Sequence, residues 1–249
     1  MNGYKFDWFV IEQALPKMLA GFGMSLQIAL VVIVLAMILA VPLAVARMSK
    51  VEIVRWLAQG YIEIFRCTPM LVQLFWIFYA LPMLTGIVLP GFASAVIALA
   101  ANLTAFMAEA YRSGFQAVPV EQIEAGKMLR LSRFQQMRYI IFPQAIRQQT
   151  PVILSLNIQI FKDTALVSTI AVSDLMFMAN TLTGESYRSL EVYTTAALIY
   201  FAVAFPASLL TSYLERRTTN PGQGKPGPGL FARMLPGLRS VAQPKPTQA

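Results

Sequence analysis

The sequence predicts an all-α integral membrane protein with five transmembrane helices and a two-helix cytoplasmic loop, and three observations carry that expectation. Only 13% of the 249 residues are charged, against 57% hydrophobic, where average soluble domains carry roughly 25% charged residues. Five segments are apolar and nearly free of charge over lengths that suit a hydrocarbon core of about 30 Å. Lys and Arg are also unevenly shared: the connections after the first, third and fifth segments hold 16 of the 20, the rest of the chain 4. By the positive-inside tendency this puts the amino terminus outside and the carboxyl terminus in the cytoplasm. The net charge of +8 is accounted for by that distribution, so no nucleic acid is expected as a partner. One cysteine and no histidine exclude an internal disulfide and a Cys/His metal site.

Residues 1–22 are mixed, with Lys5 and Lys17 balanced by Asp7 and Glu12, and read as an external amphipathic lead-in. The membrane domain is expected over 23–217. Its first span is Ile28 to Ala46, 19 consecutive apolar residues counting Pro42, too long for the core of a signal peptide and followed rather than preceded by positive charge. Arg47 to Arg66 is a basic connection. Thr68 is then placed to cap, and Pro69 to open, the charge-free span Met70 to Leu89. Pro90-Gly91 makes a turn, and Phe92 to Ala108 is a third span whose Ala98, Ala100, Ala101 and Ala105 suit close helix packing in lipid. Glu109 and Arg112 are spaced as a pair on one helix face.

A fourth segment is broken: Gln148 to Phe161 is charge-free, Lys162-Asp163-Thr164 interrupts it, and Ala165 to Ser173 resumes. Charges at membrane depth face a cavity or a partner, or mark the interface, and both readings stand at this point. Asn180 to Glu191 reads as a polar connection before the last span, Val192 to Leu214, which contains Pro206. Residues 218–249 form a basic Pro/Gly-rich cytoplasmic tail that cannot bury enough surface to fold alone. Polar residues within the spans, Gln73, Asn102, Asn157, Lys162 and Asp163, are the candidates for a pathway or gate.

The cytoplasmic stretch 119–143 differs from everything around it. Pro119 is placed to open a helix to about Arg130, and Ser132 with Gln135 three residues on is a capping box for a second. Ile123, Leu131, Phe134, Met137 and Ile141 recur at helical spacing, while Lys127, Arg130, Arg133 and Arg138 fill much of the remainder. Such a helix pair can dock on a soluble partner or lie on the lipid surface.

Residues 124–143 resemble the Glu-Ala-Ala loop of bacterial ATP-binding-cassette importer permeases, E-A-A, three residues, G, nine residues, I-x-L-P. Glu124, Ala125, Ile140 and Pro143 match; Gly126 stands for the second Ala, Arg130 for the Gly and Phe142 for the Leu. The run FRCTPMLVQLFWIFYALP from Phe65 to Pro82 resembles the F-R-G-T-P-L-L-V-Q-L segment of the polar amino acid branch, the permeases for histidine, glutamine, arginine and opines, with Cys67 in place of Gly. Glu109, Arg112 and Gly114 match that branch's A-E-x-x-R-x-G, and Lys162-Asp163-Thr164-Ala165-Leu166 its K-D-T-S-L with Ala for Ser. The resemblance implies a type I importer transmembrane domain, not an enzyme, in a bacterial inner membrane. It also implies a second permease subunit, identical or homologous, a periplasmic solute-binding protein, and a cytoplasmic ATPase dimer that uses ATP and Mg and docks on Glu124, Ala125, Gly126, Arg130, Ile140 and Pro143.

No G-x-x-x-x-G-K-[ST] occurs, so no phosphate-cradling loop and no cofactor is expected in this chain. A secondary carrier is the nearest rival, although no internal repeat is visible. Ser155 and Lys162, seven residues apart, allow an intramembrane Ser-Lys hydrolase, and a subunit without transport is a third reading.

Overall fold

In the computed structural model residues 6–218 are described, and they are helical almost throughout. Three helices are long and apolar enough to cross a membrane unbroken: α1 (Trp8–Arg47), α5 (Gly91–Gln116) and α10 (Ser189–Thr218). Two bent pairs bring the crossings to five. Glu52–Cys67 meets Met70–Thr85 at 109°, and Arg133–Ile170 meets Leu175–Ser186 at 50°. The expected tail beyond Thr218 lies outside the described residues.

α1 is built to be held along its length. Val32, Ala36, Ala40 and Ala44, four residues apart, are fully buried, so small side chains let α1 lie close along α5. The expected boundary at residues 22 and 23 falls inside this helix, which begins at Asp7, whose carboxylate accepts from Phe9 N at 3.0 Å. Gly21 does not break it because a tertiary contact uses the missing side chain: a Cβ there would sit 2.6 Å from the Asp174 carbonyl oxygen. Ser25 strengthens this approach, its Oγ accepting from Leu175 N at 3.2 Å.

The basic connection 47–66 is mostly helix, α2 (Glu52–Cys67), with Ala58 and Ile62 buried and Ile53, Trp56, Leu57 and Ile64 exposed. Thr68 does not cap the next helix. Its hydroxyl donates to the Ile64 carbonyl at 2.7 Å, closing α2, and the extended Pro69 precedes α3 (Met70–Phe75). A π-helical turn at Trp76–Ala80 and α4 (Leu81–Thr85) complete this span, which ends at Gly86 in the left-handed region (φ 73), short of the expected Leu89.

After the loop helices α6 (Val120–Met128) and α7 (Arg133–Gln136), a π-helical turn at Met137–Ile141 leads without interruption into α8 (Phe142–Asp163). The break expected at residues 162–164 does not occur there: the chain continues as a 3-10 stretch Thr164–Ile170, whose first hydroxyl donates to Phe161 O at 2.7 Å, and the 50° bend comes only between Ile170 and Leu175. The polar connection expected at 180–191 is instead mostly helix. α9 (Leu175–Ser186) runs through Gly184, nucleated by Asp174, whose carboxylate accepts from Met176 N and Phe177 N, and anchored by buried Leu175 and Ala179. Only Tyr187 and Arg188 separate it from α10.

Candidate functional site

Three groups of sequence-selected residues fall in three distinct places. The first is the loop between α5 and α8. Pro119 stands at the start of α6, and Ser132 and Gln135 form the capping box: Gln135 N donates to Ser132 Oγ at 3.3 Å and Ser132 N to Gln135 Oε1 at 2.7 Å. α6 closes with Leu131 N donating to Gly126 O at 3.0 Å and Arg130 N to Lys127 O at 2.9 Å. That closure places Arg130 in the left-handed region (φ 54), where a residue with a Cβ costs roughly 1–2 kcal/mol relative to the right-handed conformation.

Gly126 is buried against the other half of the loop; a Cβ on it would lie 2.8 Å from Ile140 Cδ1. Gln144 Nε2 donates to Gln122 Oε1 at 2.6 Å and Gln136 Nε2 to Leu131 O at 3.0 Å, which fixes the two halves together. Glu124, Ala125, Arg130 and Pro143 are exposed and Ile140 is half-buried. Glu124 lies in the second turn of α6, so the first-turn position favoured by the helix dipole belongs to Glu121 instead. Outward from this frame stand Met128, Leu129, Phe134 and Tyr139, all more than two-thirds exposed, interleaved with exposed Lys127, Arg130, Arg133 and Arg138. Apolar side chains this exposed mark an interaction surface, for another protein or for lipid.

The second group sits at the 109° break. Gln73 and Asn102 are buried, and their amides are occupied by main chain: Gln73 Nε2 donates to Phe65 O at 2.9 Å and Thr68 O at 3.0 Å, and Asn102 Nδ2 to Phe65 O at 3.0 Å. Tyr61 OH adds a bond to Ala101 O at 2.9 Å. A helix end leaves its last carbonyls without intrahelical donors, and Gln73 and Asn102 supply donors to Phe65 O and Thr68 O.

The third group lies at a cavity of about 230 Å³ bounded by Thr68, Asn102, Phe106, Leu156, Gln159 and Asp163. Asp163 is half-buried and accepts from Gln159 Nε2 at 2.9 Å. Lys162 is exposed and is not among the lining residues, and Asn157 keeps a buried Oδ1 without a hydrogen-bond partner among the described residues. Thus Asn102 and Asp163 are brought together, Gln73 supports Asn102 from behind, and Lys162 points elsewhere. Gln159, itself one of the polar residues of the spans, completes the polar lining one helical turn before Asp163. Glu109 and Arg112 form the expected pair, Arg112 Nε donating to Glu109 Oε2 at 2.9 Å. Ser155 Oγ donates to Pro151 O at 3.0 Å within its own helix, which gives no support to a Ser-Lys dyad.

An all-helical bundle with up to five crossings and a small polar cavity at a broken span fits a membrane transport subunit. The chain belongs to the family described as the inner membrane component of binding-protein-dependent transport systems, matched over residues 32–220.

It is 33% identical over 222 residues to the glutamate/aspartate import permease protein GltK of Escherichia coli O6:H1, spanning 86% of this chain and 99% of that one. It is 36% identical to the nopaline transport system permease protein NocM of Agrobacterium fabrum, over 84% and 90% of the two chains. It is 35% identical to the L-cystine permease TcyB of Bacillus subtilis, over 86% and 92%. Among solved structures, a chain of an amino acid ABC transporter crystallised with histidines superposes with a TM-score of 0.80 at 34% identity, over 86% of this chain and 100% of that one. The inward-facing MetNI methionine transporter shares the fold, with a TM-score of 0.65 at 15% identity. Permeases of this class operate with an ATPase and a solute-binding protein, and this chain is such a permease.

Proposed function

We propose that the chain forms the translocation pathway of an ATP-driven importer of amino acids or opines together with a second permease subunit. The loop 119–143 docks on a cytoplasmic ATPase dimer, which holds the ATP and Mg, and a periplasmic solute-binding protein delivers substrate at the opposite face. The amino terminus lies outside and the carboxyl terminus in the cytoplasm, as the division of Lys and Arg supports. The observation that carries this reading is the rigid hairpin with four exposed large apolar side chains, in a chain that has no phosphate-binding loop and must draw its energy from another polypeptide.

The relatives' names point to amino acids and opines as cargo, and the cavity is compatible with that chemistry. Asn102, Gln159 and Asp163 offer hydrogen-bond donors and acceptors and one carboxylate for an ammonium group. Lys162 lies at the same level of the chain and belongs to the gate rather than the lining, and Asn157 supplies a further polar group deeper in α8. Gln73 acts on the pathway through Asn102.

The test is uptake by proteoliposomes containing this chain, its ATPase and its binding protein. Substrate accumulation that requires ATP and survives collapse of ion gradients is the expected outcome. Accumulation that follows a proton or sodium gradient without ATP would favour a secondary carrier.

A further inference from the structure

We propose that Arg130 is a specificity-determining residue that selects the ATPase subunit by pairing with a carboxylate on it; this rests on the docking role of the loop proposed above. The turn that ends α6 requires nothing of the Arg130 side chain. Its hydrogen bonds, Arg130 N to Lys127 O at 2.9 Å and Leu131 N to Gly126 O at 3.0 Å, are made by main chain alone. At φ 54 glycine is the residue that fits without strain. An arginine held there needs a compensating use, and within this chain it has none. Its side chain is exposed, and among the described residues its guanidinium makes no hydrogen bond, ion pair or ring contact. Arg55, Arg112 and Arg188 behave differently, each pairing with a glutamate one helical turn away.

The surroundings state what the partner must offer. Met128 is 87% exposed and Leu129 75%, immediately before Arg130, and Phe134 at 76% follows it across the turn. Exposed Lys127 and Arg133 flank them. An apolar knob with a basic rim is complementary to an apolar groove with an acidic rim. A planar guanidinium at the apex of the turn suits two parallel bonds to one carboxylate. Paired charges at the rim of such a contact set partner choice and association rate more than total affinity.

The experiment uses the full-length chain in neutral detergent and the ATPase that co-purifies with it. Binding is measured between about 50 and 500 mM salt for wild type, Arg130→Gly, Arg130→Gln and Arg130→Glu, alongside the melting temperature of each chain alone. Arg130→Gly should melt no lower than wild type, yet bind the ATPase about tenfold more weakly at low salt and with a flatter salt dependence. Arg130→Glu should bind more weakly still, and reversing one carboxylate on the ATPase groove to lysine should restore it. Glycine and glutamine variants that bind as tightly as wild type would overturn the proposal. So would a loss seen only in vesicles containing phosphatidylglycerol, which would assign the guanidinium to a lipid headgroup. If the wild-type chain binds no ATPase at all, the docking reading itself fails, and the proposal with it.

Discussion

Asn102 Nδ2 donates to Gln73 Oε1 at 3.0 Å across the gap between α5 and α3, and both side chains turn back on the same carbonyl, that of Phe65. They meet where the chain breaks between Cys67 and Met70 and the last turn of α2 leaves its carbonyls without helical donors.

Loss of either partner should therefore be costly and the losses should overlap. Gln73→Leu and Asn102→Leu are each expected to destabilise by about 1–3 kcal/mol, because the bond between the two buried amides is lost in either case and Phe65 O keeps only one of its two donors. The double variant should fall short of their sum by roughly 0.5 kcal/mol or more. Thermal melting of the purified chain in detergent measures this, and strictly additive losses would show that the two amides act independently.

Gly21 and Gly23 make a matched comparison on one helix. A Cβ on Gly21 meets the Asp174 carbonyl at 2.6 Å, which is backbone and cannot swing aside, whereas one on Gly23 meets nothing within 4 Å. Gly21→Ala should cost about 1–3 kcal/mol. Gly23→Ala should be neutral or stabilise by about 0.4–1 kcal/mol. Equal melting temperatures for the two variants would contradict the close approach of α1 and α9.

Neutralising Asp163 to Asn removes the negative charge of the cavity while leaving an Oδ1 that can still accept from Gln159 Nε2. Asp163→Asn is expected to lower uptake about tenfold or more, the equivalent of one charge-assisted hydrogen bond, while the chain still inserts and co-purifies with its ATPase. Lys162→Gln, outside the lining, should have the smaller effect. Unchanged uptake in both would leave the two charges as markers of an interface.

On α6 the two glutamates should separate by function. Glu121 is the acid in the first turn and Glu124 an exposed residue of the second. Glu121→Ala should lower loop stability by about 0.3–1 kcal/mol with little change in coupling. Glu124→Ala should leave stability within about 0.5 kcal/mol and reduce substrate-stimulated ATP hydrolysis severalfold. The reverse pattern would move the partner contact away from Glu124.

Where the chain's signals are local, they were legible in the sequence. The apolar segments, which allow up to five crossings, and the Ser132–Gln135 capping box rest on neighbouring residues and are present in the structure, whereas the break read at residues 162–164 falls instead after Ile170. What was missed depends on distant contacts. α1 continues through two glycines because one of them packs on α9, and α9 is a helix although its second half is polar, since Leu175 and Ala179 have a core to enter. Asp174 before an apolar run was a visible cap signal that the polar stretch after it obscured. For the site, residue types in the spans identified Asn102 and Asp163, but Gln73 reads the same as a lining residue until its amide is seen on Phe65.

From Arg133 to Ile170 no residue leaves a helical conformation, so the second half of the 119–143 loop and the Gln159 and Asp163 side of the cavity lie on one helical run. α8 alone, at 22 residues, is about 33 Å long. Pushed at one end, such a rod behaves as a lever: a tilt of about 5° sweeps its far end through roughly 3 Å, the scale of one hydrogen bond. Gly126 wedged under Ile140 and the Gln122–Gln144 bond remove slack at the driven end. On the docking role proposed for the loop, a tilt imposed there would be carried along α8, past Pro151, to Gln159 and Asp163.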